Sequence, residues 1–226
     1  MPIKREHMKI LGKLIAVGAI GFQVIACDSI GLPGQSEGDE KKKFADRSVE
    51  ALYNNAMDNL QAGWHQTAAQ LFDELERQHP YSAWATKSQL MAAYSNYQQG
   101  SYDEAIIGLD RFIELHPGHR DVRYAYYLKA LSFYEQISDV GRDQKMTQLA
   151  LSSLKEIVKR FPGTSFARDS RIKLDLTQDH LAGKEMEIGR YYVQRGEYLA
   201  AINRFKIVIE VYQTTTHVPE ALHRVT

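Results

Sequence analysis

Cysteine is nearly absent from this chain: its 226 residues include one, Cys27, so no intrachain disulfide can form in any compartment. Net charge is absent as well. Lys and Arg number 28 and Asp and Glu 28, which leaves no overall field to attract a phosphate backbone, and nucleic acid is not expected as a partner. Long apolar runs are missing too; the stretch from Leu14 to Ala26 is too short to span a bilayer as a stable anchor. There is no Gly-rich phosphate loop, no nucleophile elbow and no His-Glu-x-x-His. His116 and His119 flank Pro117-Gly118 without further ligands at zinc spacing, so neither a metal nor any other cofactor is expected. Isolated Asp and Glu residues read as solvated helix faces, and the chain reads as a protein without catalytic machinery.

What is present is repetition. Gly63, Ala68, Phe72, Leu75 and Pro80 return as Gly100, Ala105, Leu109, Phe112 and Pro117, a step of about 37 residues. A third copy runs through Ala150, Leu154, Ile157 and Pro162, and a fourth through Gly196, Ala201, Phe205 and Val208, with Gln213 in place of the proline. The glycine allows a tight turn between antiparallel helices, the alanine lets their backbones approach, and the proline ends the second helix. Small, large and large at intervals of four and three fall on one helical face. The pattern resembles the tetratricopeptide repeat. The expected fold is all-α: a superhelical array of antiparallel helix pairs with about four to five repeats, the last incomplete. At 44% apolar content such an array can bury a sizeable core without dividing into globular domains.

Several places depart from the metric. Pro117 and Pro162 stand about 45 residues apart, and the surplus falls in Ser138–Lys145, whose polarity and glycine predict an enlarged loop. Phe166 to Leu181 and Lys184 to Arg195 predict two helical stretches joined near Ala182-Gly183, either an extra helix or one long helix with a break. Ser82, Asp121 and Thr164 are expected N-caps. His217–His223 begins a last helix without a partner, so its apolar side is expected to be poorly covered.

Residues 1–27 have the shape of a secretory signal, with Lys4, Arg5, Lys9 and Lys13 before the apolar run and either Met1 or Met8 as the start. Val24-Ile25-Ala26-Cys27 looks like a bacterial lipoprotein cleavage box with valine in the usual leucine place, which makes Cys27 the lipidation site; the alternative is a free cysteine closing an ordinary signal or a short membrane anchor. Acyl chains on Cys27 would anchor at about 0.8 kcal/mol per buried CH₂. Asp28 favours inner-membrane retention in enterobacterial lipoproteins. Residues 28–43 read as a flexible tether and 44–226 as the repeat domain.

The cleavage box with its tether, Pro80-Tyr81-Ser82, Leu109-Asp-Arg-Phe112-Ile113, Tyr126-Tyr-Leu-Lys-Ala-Leu131, Phe161-Pro162-Gly-Thr-Ser165, Tyr191-Tyr192-x-x-Arg195-Gly196 and Ala201-Ile-Asn203-Arg204 occur in the order found in one family. Together they resemble the BamD (ComL-type) lipoproteins of the outer-membrane β-barrel assembly complex, over essentially the whole mature chain; that family continues further past Leu222. The resemblance implies a scaffold on the periplasmic side of the outer membrane, working with other assembly-complex lipoproteins. Its amino-terminal repeats would receive unfolded outer-membrane protein precursors, with His79, Tyr81, Tyr94 and Tyr97 as groove candidates; the plainer reading of Tyr94 and Tyr97 is packing between units. Its carboxy-terminal repeats would dock on the periplasmic domain of the barrel-forming subunit through Tyr191, Tyr192, Arg195, Asn203 and Arg204. Arg204 lies about 300° round the helix from Ala201, so its stem is expected on apolar surface and its guanidinium outward, toward a partner's carboxylate. A secretin pilotin or a cell-division coordinator would share the scaffold and anchor but lack the Tyr191-Tyr192 and Asn203-Arg204 signature.

Overall fold

The computed structural model describes residues 48–226; the expectations for the signal, the tether and Cys27 fall outside these residues. Among the described residues the helices are α1 (Val49–Gln61), α2 (His65–Gln78), α3 (Ala83–Gln98), α4 (Tyr102–Leu115), α5 (Val122–Tyr134), α6 (Lys145–Arg160), α7 (Ser165–Gln194), α8 (Tyr198–Val211) and α9 (Val218–Val225), and there is no strand. Each even-numbered helix lies between its two sequence neighbours. The odd-numbered helices α1, α3, α5 and α7 also touch in succession, so they form one layer and the even-numbered helices a second.

The repeated positions are the core. Ala68, Ala105, Ala150 and Ala201, the next positions Phe72, Leu109, Leu154 and Phe205, and the third set Leu75, Phe112, Ile157 and Val208 are all buried. Burial of each large side chain contributes roughly 1.5–3 kcal/mol, and because successive units share a wall, the contribution depends on the neighbour being present. The odd helices answer with small residues. Ala56 packs with Ala68 and Phe72, Ala93 with Leu109 and Phe112, and Ala130 with Leu154 and Ile157. In the fourth pair the place is taken by Gly189, where an added Cβ would lie 2.4 Å from Cε1 of Phe205.

Turn chemistry follows from the same repeats. Gly63, Gly100 and Gly196 take φ of 82°, 84° and 77° just beyond α1, α3 and α7, a left-handed exit that lets Trp64 N–H reach back to Asn59 O at 2.9 Å and Ser101 N–H to Asn96 O at 2.9 Å. The even helices end on His79, His116, Phe161 and Tyr212 with closely similar backbone angles. The fourth closes this way without proline, so the packed aromatic or imidazole ring at the cap, and not the missing N–H alone, accompanies the stop. Ser82 and Thr164 cap as expected, accepting from Ala85 N at 3.1 Å and Ala167 N at 3.2 Å. Asp121 does not cap. Its ψ of 5° is not extended, and its carboxylate turns to Arg120 at 3.3 Å.

The surplus in the third unit is a loop, 135–144, gathered round Gln144 and also tied by Asp139, which accepts from Gly141 N at 2.8 Å. Gln144 is buried; its amide donates to Arg142 O at 3.0 Å and to Asp139 O and Val140 O at 3.3 Å, while its Oε1 accepts from Thr147 Oγ1 at 2.9 Å. The two stretches around Gly183 form one unbroken helix, α7, of 30 residues. Gly183 breaks nothing: a Cβ there would stand 3.2 Å from Nε2 of His217, so the glycine makes room for a ring arriving from the α8–α9 turn.

Repeat equivalences show how α7 became long. Ser95, Ser132 and Thr177 occupy one position and each hydroxyl donates to the carbonyl four residues back, on Met91, Leu128 and Lys173. Counted from this position the fourth Gly, Gly196, arrives about fourteen residues late, roughly four helical turns. A four-turn addition nearly restores the helical face. The first half of α7 therefore packs on α6 through Ala167 and Leu174, while the second half packs on α8 through Ala182 and Met186.

The last helix is better covered than its sequence suggests. Ala221 is fully buried against a cluster with Ala182, Met186, Phe205 and Val208, because α9 lies across α8. Leu222 alone of its apolar residues is half exposed.

Candidate partner-binding surfaces

The α7–α8 elbow gathers most of the docking candidates. Gly196 turns the chain, which leaves Arg195 at the C-cap of α7 with its guanidinium 5.5 Å from the Tyr191 ring centroid and Nη1 donating to the Tyr191 hydroxyl at 2.5 Å. Tyr191 is half exposed and meets Tyr192 edge-on at 5.8 Å. Tyr192 leans on the Met186–Phe205 core and so fixes the pair. Two residues that the sequence reading passed over join them: Tyr198, exposed, and Leu199, 81% exposed, on the first turn of α8. Asn203 is exposed one turn beyond Leu199. The signal was a repeat position: Tyr198 follows the turn glycine as Tyr102 does, but it stands 66% exposed.

Arg204 differs from expectation. Its Nη1 is 3.1 Å from Glu185 Oε2, a pair joining α8 to α7, so its guanidinium is engaged within the chain rather than presented free. Both groups are partly exposed. Glu185 was invisible as a partner because the four-turn addition to α7 decides which of its residues stands opposite α8.

The groove candidates separate into two places. Tyr94 and Tyr97 are half-buried on α3 and pack on the cluster of Leu90, Leu109, Phe112 and Leu128, which favours the packing role for their rings. Tyr124 and Tyr127 of α5 continue the row, with Phe166 of α7 at 5.9 and 5.1 Å. Burial, aided by Tyr94 and Tyr97, pushes the Tyr124 hydroxyl up to about 12. The Tyr127 hydroxyl, raised by burial and then by Asp169, donates to Asp169 Oδ2 at 2.5 Å. The odd-helix layer thus carries tyrosine hydroxyls from unit to unit. His79 and Tyr81 lie in the α2–α3 turn, and Tyr81 is fully exposed. Tyr94 is thirteen residues along the chain from it, about 20 Å at helical rise, so the structure does not bring the four together. His79 Nε2 is buried and has no hydrogen-bond partner among the described residues.

His116 and His119 serve packing. His116 reaches Gln89 Oε1 at 3.0 Å, His119 Nδ1 accepts from Asp121 N at 3.2 Å, and both rings contact Phe112. Among the described residues no group of three or more His, Cys, Asp or Glu could hold a metal ion. A cleft of about 510 Å³ lies beside α7, walled by Val140, Leu176, Asp179, His180, Arg190 and His217. Another, of about 270 Å³, is lined by Asp73, Glu76, Glu104 and Arg111.

A family model described as outer membrane lipoprotein, YfiO, matches residues 45–226. The chain belongs to this family. Its relatives include proteins named outer membrane protein assembly factor BamD: one from Caulobacter vibrioides, 51% identical over 80% of this chain and 59% of its own length; one from Rickettsia prowazekii, 42% identical over 96% and 83%; and one from Neisseria gonorrhoeae, 35% identical over 93% and 81%. The chain thus spans less than two thirds of the Caulobacter relative. Within the YfiO family the Tyr191–Arg195 elbow and the tyrosine row belong to the matched region. No helix among the described residues is long and apolar enough to cross a membrane.

Proposed function

We propose that this chain is a non-catalytic scaffold in the assembly of β-barrel outer-membrane proteins, lipid-anchored through Cys27 on the periplasmic side of the outer membrane. It docks on the periplasmic domain of the barrel-forming subunit through Tyr191, Tyr192, Arg195, Asn203 and Arg204. It receives unfolded precursors along its amino-terminal repeats and works beside other lipoproteins of the complex.

The observation that carries the docking is the elbow: Tyr191 and Arg195 before the Gly196 turn and Tyr198 and Leu199 after it all expose large side chains, with Arg195 stacked on Tyr191. Tyrosine and arginine are the side chains most enriched at energetic centres of interfaces, and a pre-stacked pair loses little freedom on binding. Arg204 takes part by sharing its guanidinium between Glu185 and an incoming carboxylate. The names of the relatives support this reading over a pilotin or a cell-division coordinator.

The test is the affinity of the purified chain for the partner's periplasmic region. Tyr191→Ala and Arg195→Ala remove exposed groups, so binding should weaken about tenfold or more at an unchanged melting temperature. Wild-type affinity in both variants overturns the elbow as docking site. Arg204→Glu, placed beside Glu185, should lower both affinity and melting temperature; a lowered melting temperature with normal affinity assigns Arg204 to the fold alone.

A further inference from the structure

The late arrival of α8 leaves part of α7 bare. In α3, Leu90, Ala93, Tyr94 and Tyr97 are covered by Leu109 and Phe112 of α4 and by Ala125 and Leu128 of α5. The equivalent residues of α7 are Ile172, Asp175, Leu176 and Asp179. The first half of α7 packs its other side on α6, and α8 lies four turns further on, so nothing among the described residues occupies the place that α4 takes over α3. Ile172 is 64% exposed and Leu176 56% exposed on successive turns. Asp175 is exposed between them and forms no ion pair among the described residues.

The slot has definite limits. Arg168 stands at its upper end; at the lower end Thr216 donates from its N–H and Oγ1 to Asp179 Oδ1 at 2.8 and 2.7 Å and brings the α8–α9 turn across α7. The distance between is about three helical turns, roughly 16 Å. Beside it opens the cleft walled by Val140 of the 135–144 loop, Leu176 and His180, which Gln144 holds through its contact with His180 Nδ1 at 3.2 Å.

We propose that this slot receives an amphipathic helix of another protein, which completes the array as a surrogate even-numbered helix. Its chemistry follows from what it must cover. Ile172 and Leu176 call for two apolar residues about a turn apart, and Asp175, where the regular repeats have alanine, calls for a lysine or arginine between them. A helix lacking the basic residue would bury an unpaired carboxylate, a penalty that excludes wholly apolar segments. A second copy of this chain fits poorly, because its even-numbered helices present Ala, Leu and Phe stripes that are already buried.

The test places benzoylphenylalanine at Ile172, at Leu176 and, as a reference, at exposed Lys206 of the full anchored chain in cells, followed by irradiation and sequencing of the linked peptides. The expected result is one linked segment of one other polypeptide from both slot positions and not from Lys206. That segment should carry a basic residue between apolar ones, and its synthetic copy should gain helicity when the purified chain is added. Asp175→Lys, at an exposed site, should reduce the link about tenfold with the melting temperature unchanged, and reversing the partner's basic residue should restore it. The proposal is overturned by links to another copy of this chain, by links scattered over many polypeptides, by an absence of linked polypeptide, by a segment that binds without becoming helical, or by a yield indifferent to Asp175→Lys.

Discussion

In the first two units the small residue of the odd helix meets the large residues of the next helix inside one repeat: Ala56 with Phe72, and Ala93 with Leu109. In the last pair the same meeting takes place about four turns later, between Gly189 and Phe205, on a helix whose first half has already served α6. The regular units bury their repeat stripes against each other and leave Trp64, Tyr81, Ile107 and Leu115 exposed, well apart along the chain. The shifted unit exposes Ile172, Leu176, Tyr191, Tyr198 and Leu199. Exposed apolar side chains thus stand closer together in sequence where the repeat is out of step.

The largest effect that can break this comparison is expected at the shifted contact. Gly189→Leu should cost about 3 kcal/mol, since even a Cβ would press on the buried Phe205 ring. Gly108→Ala, whose Cβ would meet only Ala93, at 3.3 Å from its Cβ and 3.9 Å from its Cα, should stay within about 1 kcal/mol of wild type, helped by helix propensity. Urea unfolding of both variants checks this; equal midpoints would show that Gly189 does not define the register.

A smaller effect concerns how the last unit is held. Hydrogen bonds from Arg190, at 3.0 Å to Oε1, and then from Arg224, at 2.7 Å, hold the Glu220 carboxyl down at about 2, against 4.5 ordinarily. Between these values the unfolded segment binds more protons than the folded one, so this stabilisation is present above about pH 4.5 and is lost as pH falls toward 2. The groups are about a third exposed, so after solvent screening the effect should be about 1 kcal/mol. Amide protection at Ala221 should fall relative to Ala105 over that window. In Glu220→Gln, protection should be lower at neutral pH and flat below it.

The smallest effect compares equivalent positions. Ser88 and Ser170 bury hydroxyls without a partner where the third unit has Ala125. Ser88→Ala should raise stability by up to about 1 kcal/mol, whereas Ser95→Ala, which removes a satisfied hydroxyl bonded to Met91 O, should change it by less than about 0.5 kcal/mol. Denaturant midpoints measured side by side decide between the two.

How much could be read from the sequence depended on whether a feature repeats. The Ala, Leu and Phe stripes were legible because four copies reinforce one helical face. Gly183 was misread as a breaker because its reason, the ring of His217, arrives from 34 residues away and leaves no local trace. Gln144 gave no signal in a polar loop, although its amide bonds to three of the loop's carbonyls. The Arg204–Glu185 pair required knowing the offset between α7 and α8, and Asp121 failed as a cap because a residue type does not fix ψ. At the elbow, Tyr191, Tyr192 and Arg195 were candidates from the family motif, while Tyr198 and Leu199 looked like ordinary repeat residues until their exposure was seen.

The continuity of α7 has a mechanical consequence. Elsewhere successive units are joined by short turns that can flex, but 30 residues of unbroken helix make a strut about 45 Å long between the third unit and the elbow. Bending it would strain a whole ladder of backbone hydrogen bonds, whereas a turn yields by a few dihedral rotations. A pull on Tyr191 or Arg195 would therefore load the far end of the strut, where Ala167 and Phe166 pack on α6 and on the tyrosine row of α5. The carboxy-terminal units are thus coupled to the third unit through a stiff helix rather than through a turn.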